Sequence, residues 1–273
     1  MKCSLIITTY NWPQALELVF ESVLRQQTLP DEVIVADDGS TPETEAVVQA
    51  FSRRSPIPVR HVWHEDNGFR AGTIRNKAIA QASSPYIVQI DSDIILHRSF
   101  IRDHLRSARH GTYLYGTRVR IVEKFLPILF SKKQTDFSFF SSGIARTLRA
   151  LHSDLLSGIV GRPRPLLKWN ILGCNISFWK EDFLSVNGYN EEFNGWGLED
   201  TDLAARFHHH GLSGKRLKFN AIAYHIYHPP KQNPGLDLNW NLLSRCLDEK
   251  TIWAEAGVSQ HLAELPNATE TLS

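Results

Sequence analysis

The chain has 273 residues, with Lys+Arg 30 against Asp+Glu 29 and a formal net charge of +1, a size that suits one α/β domain, with or without an appendage. Hydrophobic residues at 42% and charged residues at 22% exclude a disordered or fibrous chain, and near-neutrality removes the global field that a nucleic-acid binder exploits. Three scattered cysteines, Cys3, Cys174 and Cys246, make neither a disulfide framework nor a zinc cluster and point to a reducing compartment.

The first half alternates short apolar runs with amphipathic stretches. Cys3–Thr8 reads as a strand buried on both faces. The run Leu5–Ile7 is too short for a secretory signal and polar Thr8-Thr9-Tyr10-Asn11 follows it. No apolar run approaches the roughly 20 residues of a membrane span, so a soluble cytoplasmic protein is expected. Pro13 signals a helix start, with Leu16, Val19, Phe20, Val23 and Leu24 at helical spacing. Strands follow at Glu32–Ala36, Val59–Trp63 and Tyr86–Ile90, separated by a helix from about Pro42 and another over about Thr73–Ala82. This alternation predicts βαβ units and a mostly parallel sheet.

Polar residues gather where the strands stop: Thr9, Tyr10 and Asn11 after the first, Asp37 and Asp38 after the second, Asp91 and Asp93 after the fourth. In open α/β sheets that is where ligands bind. Neither G-x-G-x-x-G after the first strand nor G-x-x-x-x-G-K-[ST] anywhere is present, which argues against a dinucleotide dehydrogenase or a P-loop enzyme. A diphosphate would then be neutralised by a divalent cation on carboxylates. Asp91-Ser92-Asp93 offers such a pair, since residues i and i+2 of an extended backbone share a side and carboxylate oxygens suit Mg²⁺ or Mn²⁺. An acidic turn is the plainer reading; the position after a buried strand favours chemistry.

Trp196-Gly197-Leu198-Glu199-Asp200-Thr201-Asp202 opens a further helix, which stops near Gly211. Acids in a first turn suit the helix dipole. They leave Gly195-Trp196-Gly197 unexplained, where two glycines flank an aromatic able to act as a flat sugar platform. A carboxylate there is expected to have a lowered pKa and to serve as a general base. His225 and His228, three residues apart, can reach one metal centre. His208-His209-His210 spreads over several faces of a helix end and reads as surface.

Together these residues resemble family 2 glycosyltransferases of the GT-A fold. The resemblance rests on Ser4–Asn11, Glu32–Ser40, Asn67-Gly68 with Arg75-Asn76, and Asp91-Ser92-Asp93. The second half resembles the galactosyltransferase-type C-terminal module of animal β-1,4-galactosyltransferases and bacterial chondroitin-polymerising enzymes, through Gly173-Cys174-Asn175, Asn187–Glu191 and Trp196–Asp202. It implies an α/β, Rossmann-like GT-A domain with a mostly parallel central sheet and an inserted basic helical segment. Residues 1–116 would be the nucleotide-sugar half, 117–172 the insert, 173–238 the acceptor and catalytic half, and 239–273 a C-terminal helix and polar tail.

By position, the resemblance implies that Thr9, Tyr10, Asn11, Asp38, Asn67, Arg75 and Ser92 bind the nucleotide and that Asp91 and Asp93 face the diphosphate. Asp93 would be the direct metal ligand, joined by His228, His225 and Asp91. Asp200 matches the catalytic base, Glu199 the neighbour that orients substrate, and Trp196 with Gly197 the sugar contact. Animal relatives carry methionine at the position of His225. The implied reaction is metal-dependent, inverting transfer of a hexose or N-acetylhexosamine from a UDP-sugar to a glycan or lipid-linked acceptor, in bacterial surface-polysaccharide or lipopolysaccharide assembly. A sugar-nucleotide nucleotidyltransferase and a catalytically silent binding scaffold are the alternatives.

Residues 118–168 hold ten basic residues against three acidic ones, interleaved with Phe125, Phe130, Phe137, Phe139 and Phe140. Leu148, Leu151, Leu155 and Leu156 suggest an amphipathic helix. Such a face suits anionic lipid at the inner face of the membrane or a phosphorylated, lipid-linked acceptor, and equally a solvated loop. A helix is expected from Asn239 to about Glu255. The sequons at Asn175 and Asn267 read as chance.

Overall fold

A computed structural model of the protein describes residues 1–160, 173–229 and 235–262. The strands are β1 (Cys3–Thr9), β2 (Glu32–Asp37), β3 (Val59–Trp63), β4 (Tyr86–Asp91), β5 (Ile94–Leu96), β6 (Thr112–Tyr115), β7 (Arg118–Ile121), β8 (Ile144–Ala145), β9 (Asn175–Trp179), β10 (Ser213–Arg216) and β11 (Ala223–His225). The helices are α1 (Pro13–Leu24), α2 (Pro42–Arg54), α3 (Ala71–Ala80), α4 (Phe100–Ser107), α5 (Leu126–Ser131), α6 (Asp154–Ile159), α7 (Lys180–Ser185), α8 (Glu199–His209), α9 (Leu236–Asp248) and α10 (Ser259–Leu262).

Seven strands form the main sheet in the order β10-β6-β9-β4-β1-β2-β3. Within it β1 to β4 pair in parallel where they are neighbours, and β9 alone runs antiparallel to both its neighbours, β4 and β6. The continuous apolar run of β1 follows from this burial on both faces. Leu5 and Ile7 pack with Val19 and Phe20 of α1 and Phe51 of α2, whereas Ile6 packs with Ile74 and Ala78 of α3 and Phe207 of α8. The Phe20 and Phe51 rings stack with centroids 4.0 Å apart; truncating either to alanine is expected to cost about 3–5 kcal/mol.

Proline at the first turn starts α1 and α2, where its missing N–H is no loss. Three expectations shift in detail. The third helix lies two residues earlier, at Ala71–Ala80, and the late helix spans Leu236–Asp248. The leucine pattern of 148–156 is not one helix. A 3₁₀ turn at Thr147–Ala150 is followed by α6, because Ser153 Oγ accepts from Leu156 N and so caps a new helix. Asn175 is fully buried, with Nδ2 donating to the Ala221 carbonyl, which fits a chance sequon. Asn267, Arg162, Arg164, Lys168 and the tail after 262 lie outside the described residues.

A smaller sheet, β5-β11-β7-β8, stands beside the first. One of its faces is apolar: Ile95, Val119, Ile121 and Tyr224 pack together with Phe125 and Phe137. Its role is positional, because β5 leaves directly from the turn that ends β4, and β11 pairs with β5 through His225↔Ile94.

Candidate active site

The crevice lies beyond the carboxyl ends of β1, β2 and β4. Ser92 N donates to Thr8 O at 2.8 Å, which fixes the Asp91-Ser92-Asp93 turn against β1. On the other side Ile226 N donates to Asp93 O at 2.9 Å. The two sheets thus bring the histidines of the back half onto the aspartate of the front half. His225 Nε2 and His228 Nε2 each stand 3.2 Å from Asp93 Oδ2. Burial opposes ionisation of Asp93, but the hydrogen bonds and charge of both histidines outweigh it and hold the carboxyl well below its usual range.

This trio fits a divalent cation. One ligand atom from each residue lies within 4.8 Å of the others. His228 Nδ1 is 2.8 Å from the Pro229 carbonyl; a carbonyl only accepts, so Nδ1 carries a proton, and in the neutral ring the Nε2 lone pair is the one turned to the carboxylate. Two lone pairs in that arrangement call for a proton or a metal ion between them. Asp93 Oδ1 is buried with no hydrogen-bond partner among the described residues, a further donor atom for such an ion. Two imidazoles and a carboxylate suit Mn²⁺. A second cluster, Asp103, His152 and Asp154, is already neutralised: Arg102 bridges Asp103 (2.9 Å) and Asp154 (3.2 Å), and Arg106 holds Asp154 at 2.9 Å.

Arg75, buried on α3, gathers the remaining acids. Its Nε donates to Thr8 Oγ1 at 3.1 Å, one terminal nitrogen meets Asp91 Oδ1 at 3.0 Å, and the other meets Asp200 Oδ1 at 3.2 Å and Glu199 Oε1 at 3.5 Å. The guanidinium also lies 5.3 Å from the Tyr189 ring centroid. Burial works against its charge, yet the attraction of Asp200 first, then Tyr189, Asp91 and Glu199, keeps it firmly protonated. Asp91 is pushed upward by burial despite Arg75; its side chain remains 36% exposed to the cleft, so solvent screens much of that push. Asp91 is outside the trio of ligand atoms within 4.8 Å and turns to Arg75 instead.

Asp200 is held from every side. Its Oδ2 accepts from Gly173 N at 2.8 Å and its Oδ1 from Tyr189 Oη at 3.2 Å. Tyr189 in turn is fixed by buried Gln89, whose Nε2 donates to the Tyr189 hydroxyl at 2.9 Å. A Cβ at position 173 would stand 2.0 Å from Asp200 Oδ1, so only glycine allows this approach. Asp200 keeps 19% of its side chain exposed, whereas Glu199 keeps 7%. Glu199 departs from the lowered pKa expected at a helix start. Burial, and then the charge of Asp200, raise it to about 7, because a first-turn dipole is outweighed once water is excluded.

The loop before α8 is strained. Gly195 (φ 75°), Gly197 (φ 111°) and Leu198 (φ 77°) all lie in the left-handed region, which costs a leucine about 1–2 kcal/mol. Gly197 N donates to Glu199 Oε2 at 3.0 Å and its carbonyl accepts from Asn239 Nδ2 of α9 at 2.9 Å. These bonds hold Trp196 with half of its surface exposed at the mouth.

The other expected nucleotide residues flank the same mouth. Tyr10 donates to Asp66 Oδ2 at 2.9 Å, and Asn11 (φ 46°) accepts from Thr41 N at 2.9 Å, tying the β1 and β2 loops together. Asp38 is engaged by His64 Nε2 at 2.7 Å and Arg70 N at 2.9 Å. Thr9 Oγ1 is buried without a hydrogen-bond partner among the described residues, and Asn67 is exposed on the loop after β3. Sequence reasoning missed Gln89, Tyr189 as a hydroxyl donor, and His64. A glutamine inside an apolar strand was the available signal, since buried amides require partners.

Residues 4–167 match the family model described as Glycosyl transferase family 2, and residues 163–229 match one described as N-terminal domain of galactosyltransferase. Validoxylamine A glucosyltransferase of Streptomyces hygroscopicus subsp. limoneus is 30% identical, covering 77% of this chain and 48% of its own length. Chondroitin synthase of Escherichia coli is 26% identical, covering 84% of this chain and 35% of its own length. The chain therefore spans about half the length, or less, of these curated relatives. Among solved structures, S. aureus TarS 1-349 in complex with UDP superposes with a TM-score of 0.60 at 18% identity, covering 97% of this chain and 70% of that one. Mannosyltransferase PcManGT from Pyrobaculum calidifontis, in complex with GDP-Man and Mn2+, gives 0.58 at 16% identity, covering 89% and 60%. At such identities the structural likeness carries the fold alone, which is GT-A.

Proposed function

The chain belongs to glycosyl transferase family 2 and is a glycosyltransferase; from that premise we propose that it transfers a hexose or N-acetylhexosamine from a UDP-sugar to a glycan acceptor, with inversion and with Mn²⁺ or Mg²⁺ bound. The observation that carries this reading is the convergence of His225 and His228 on Asp93, 3.2 Å each, in the crevice that also holds Asp200. Asp93, His225 and His228 would hold the cation, and Asp91 would face the diphosphate beside it. A bound cation supplies charge neutralisation to the departing nucleoside diphosphate.

The remaining chemistry belongs to side chains. An oxygen of Asp200 accepts the proton of the acceptor hydroxyl, and the acceptor's own oxygen attacks the anomeric carbon while the bond from that carbon to the diphosphate breaks on the opposite face. Asp200 suits the role better than Glu199 because it stands nearer Arg75, at 3.2 Å against 3.5 Å, and is more open to the cleft. Glu199 orients the acceptor, Trp196 offers a stacking platform, and Arg75 holds the acids in register. Tyr10, Asn11, Asp38, Asn67, Thr9 and Ser92 form the donor's nucleotide side.

Pathway and location extend the same proposal. Relatives named for chondroitin synthesis and for poly(ribitol-phosphate) glycosylation support a role in bacterial surface-polysaccharide assembly; a place at the inner face of the membrane is part of the proposal. No helix among the described residues is long and apolar enough to cross a membrane. Calorimetric titration of UDP with and without Mn²⁺ tests the reading: binding should require the cation in the native protein and be lost in His228→Ala. Equal UDP affinity in both conditions would refute it.

A further inference from the structure

The small sheet has an apolar face and a second face that carries the metal-site histidine. Val119 and Ile121 of β7 point to the apolar side, with Ile95 and Tyr224. Alternation along the strand therefore turns Arg118 and Arg120 to the opposite side. In the parallel pairing of β7 with β11, Arg120 is in register with His225 and Arg118 with Ala223. Partners across a sheet share a face on strands about 4.8 Å apart, so Arg120 is the immediate lateral neighbour of His225. Arg118 reaches towards the base: it draws down the Cys174 thiol, which burial and Asp91 push up, and Cys174 follows the glycine that binds Asp200.

The positive charge continues away from the crevice. Ala145 of β8 pairs with Arg120, and Arg146 follows it. Arg149 Nη1 donates to the Arg118 carbonyl at 3.5 Å, and Arg216 ends β10. Arg149 loses proton affinity to partial burial and then to repulsion from Arg146, Arg216 and Arg120; each of the three stands close enough to oppose its charge. Among the described residues, no carboxylate forms an ion pair with Arg118, Arg120, Arg146, Arg149 or Arg216. Five guanidiniums with no carboxylate ion-paired to them among the described residues, starting beside the reaction centre and running outward, exceed what a single diphosphate needs. Such a ridge suits a polymer carrying repeated anions, which Arg binds in bidentate fashion.

We propose that the acceptor is an anionic glycan, bearing carboxylate or phosphate groups, whose charged units lie along Arg118, Arg120, Arg146, Arg149 and Arg216 while its terminal hydroxyl meets Asp200. The proposal rests on the transfer reaction above and names its acceptor class.

The test compares acceptors in the full chain with UDP-sugar and Mn²⁺. A uronate-containing tetrasaccharide is set against its carboxyl-reduced, uncharged form, and a phosphodiester-linked polyol oligomer is run in parallel. One anionic acceptor should bind at least tenfold more tightly than the uncharged one, a ratio equivalent to about 1.4 kcal/mol. The preference should fade as salt passes about 0.1 M, where charges screen over about 10 Å. Arg120→Gln with Arg149→Gln should raise KM for that acceptor about tenfold while leaving the affinity for UDP with Mn²⁺ within about twofold, and Arg120→Lys should recover part of the loss. Indifference to acceptor charge would overturn the proposal, as would a loss confined to UDP binding. So would variants that lose only their attachment to phosphatidylglycerol vesicles, which would make the ridge a membrane contact. Failure of the native protein to bind UDP with Mn²⁺ would instead remove the transferase reading itself.

Discussion

Glu199→Gln isolates the cost of holding a charge beside Arg75 and Asp200. The folded carboxyl titrates at about 7, against an ordinary value of 4.5. At about 1.4 kcal/mol per tenfold in proton affinity, that gap is roughly 3 kcal/mol. Below pH 4.5 the residue is protonated in both folded and unfolded chains, and no cost arises. As pH rises to about 7 the unfolded chain ionises freely, whereas the folded one must ionise in a dry pocket, so stability falls through this window. Glutamine imitates the neutral acid at every pH. Its amide also turns an N–H towards Arg75 or Gly197, a fixed penalty that does not vary with pH. The stability of Glu199→Gln relative to the native protein should therefore climb by about 3 kcal/mol between pH 4.5 and 8, or about 6–12 °C in Tm for a chain of this size. Urea unfolding at a series of pH values, with the m-value checked for constancy, reads the difference. Parallel stability curves across that window would show that Glu199 titrates normally and that the crevice is wetter than its packing indicates.

Four further outcomes follow from the same geometry. Asp200→Asn should lower kcat about 10²- to 10⁴-fold with UDP affinity unchanged, the size of a lost general base; single-turnover transfer reads it. Gly173→Ala should force the Asp200 carboxylate aside, since the new Cβ would stand 2.0 Å from Oδ1, and cost about a hundredfold in kcat with little change in Tm. Arg75→Gln leaves Asp91, Glu199 and Asp200 without their buried cation and should destabilise by about 3–5 kcal/mol at pH 8 and by less at pH 5, measured by thermal unfolding. His228→Ala should weaken Mn²⁺ binding at least about a hundredfold by calorimetry while sparing the fold, because His228 sits at the open edge with a third of its side chain exposed.

How much of this was legible depended on whether the signal was local. The strands β1 to β4 could be read because each is a short apolar run that stops in polar residues, and burial on both faces leaves such a run no alternation to hide in. The Asp93, His225 and His228 set spans two motifs, and only the β5–β11 pairing explains why they meet. Three-residue strands such as Ile94–Leu96 and Ala223–His225 are too short to announce themselves. Arg75 was read as a nucleotide contact, and its hold on three carboxylates was invisible because those partners lie 16, 124 and 125 positions away. The pKa of Glu199 failed for a related reason: the helix dipole is a local rule, and burial is set by distant chain. The leucines of 148–156 kept helical spacing, yet Ser153 supplied a cap in their midst and His152 turned to Asp103 at 2.8 Å, so side-chain hydrogen bonding overrode periodicity.

The charge of the crevice constrains what can enter it and from where. Asp91, Glu199 and Asp200 share one guanidinium, that of Arg75, and Asp93 stands beside them against His225 and His228, so the pocket gathers four carboxylates around a single arginine. A nucleoside diphosphate would be repelled from such a site unless a divalent cation entered with it or before it, and the Asp93–His225–His228 group is where that cation fits. Removing acids would relieve the repulsion but would also release Arg75, which is buried only because three carboxylates balance it. The arginines of β7 stand just across the sheet from His225, so the field reverses sign within one strand spacing. A single crevice can thus hold two anions apart: a diphosphate drawn in by metal at the acidic side, and a charged acceptor drawn in by guanidinium at the basic side. Their hydroxyl and anomeric carbon meet at the boundary, where Asp200 is anchored by the Gly173 amide.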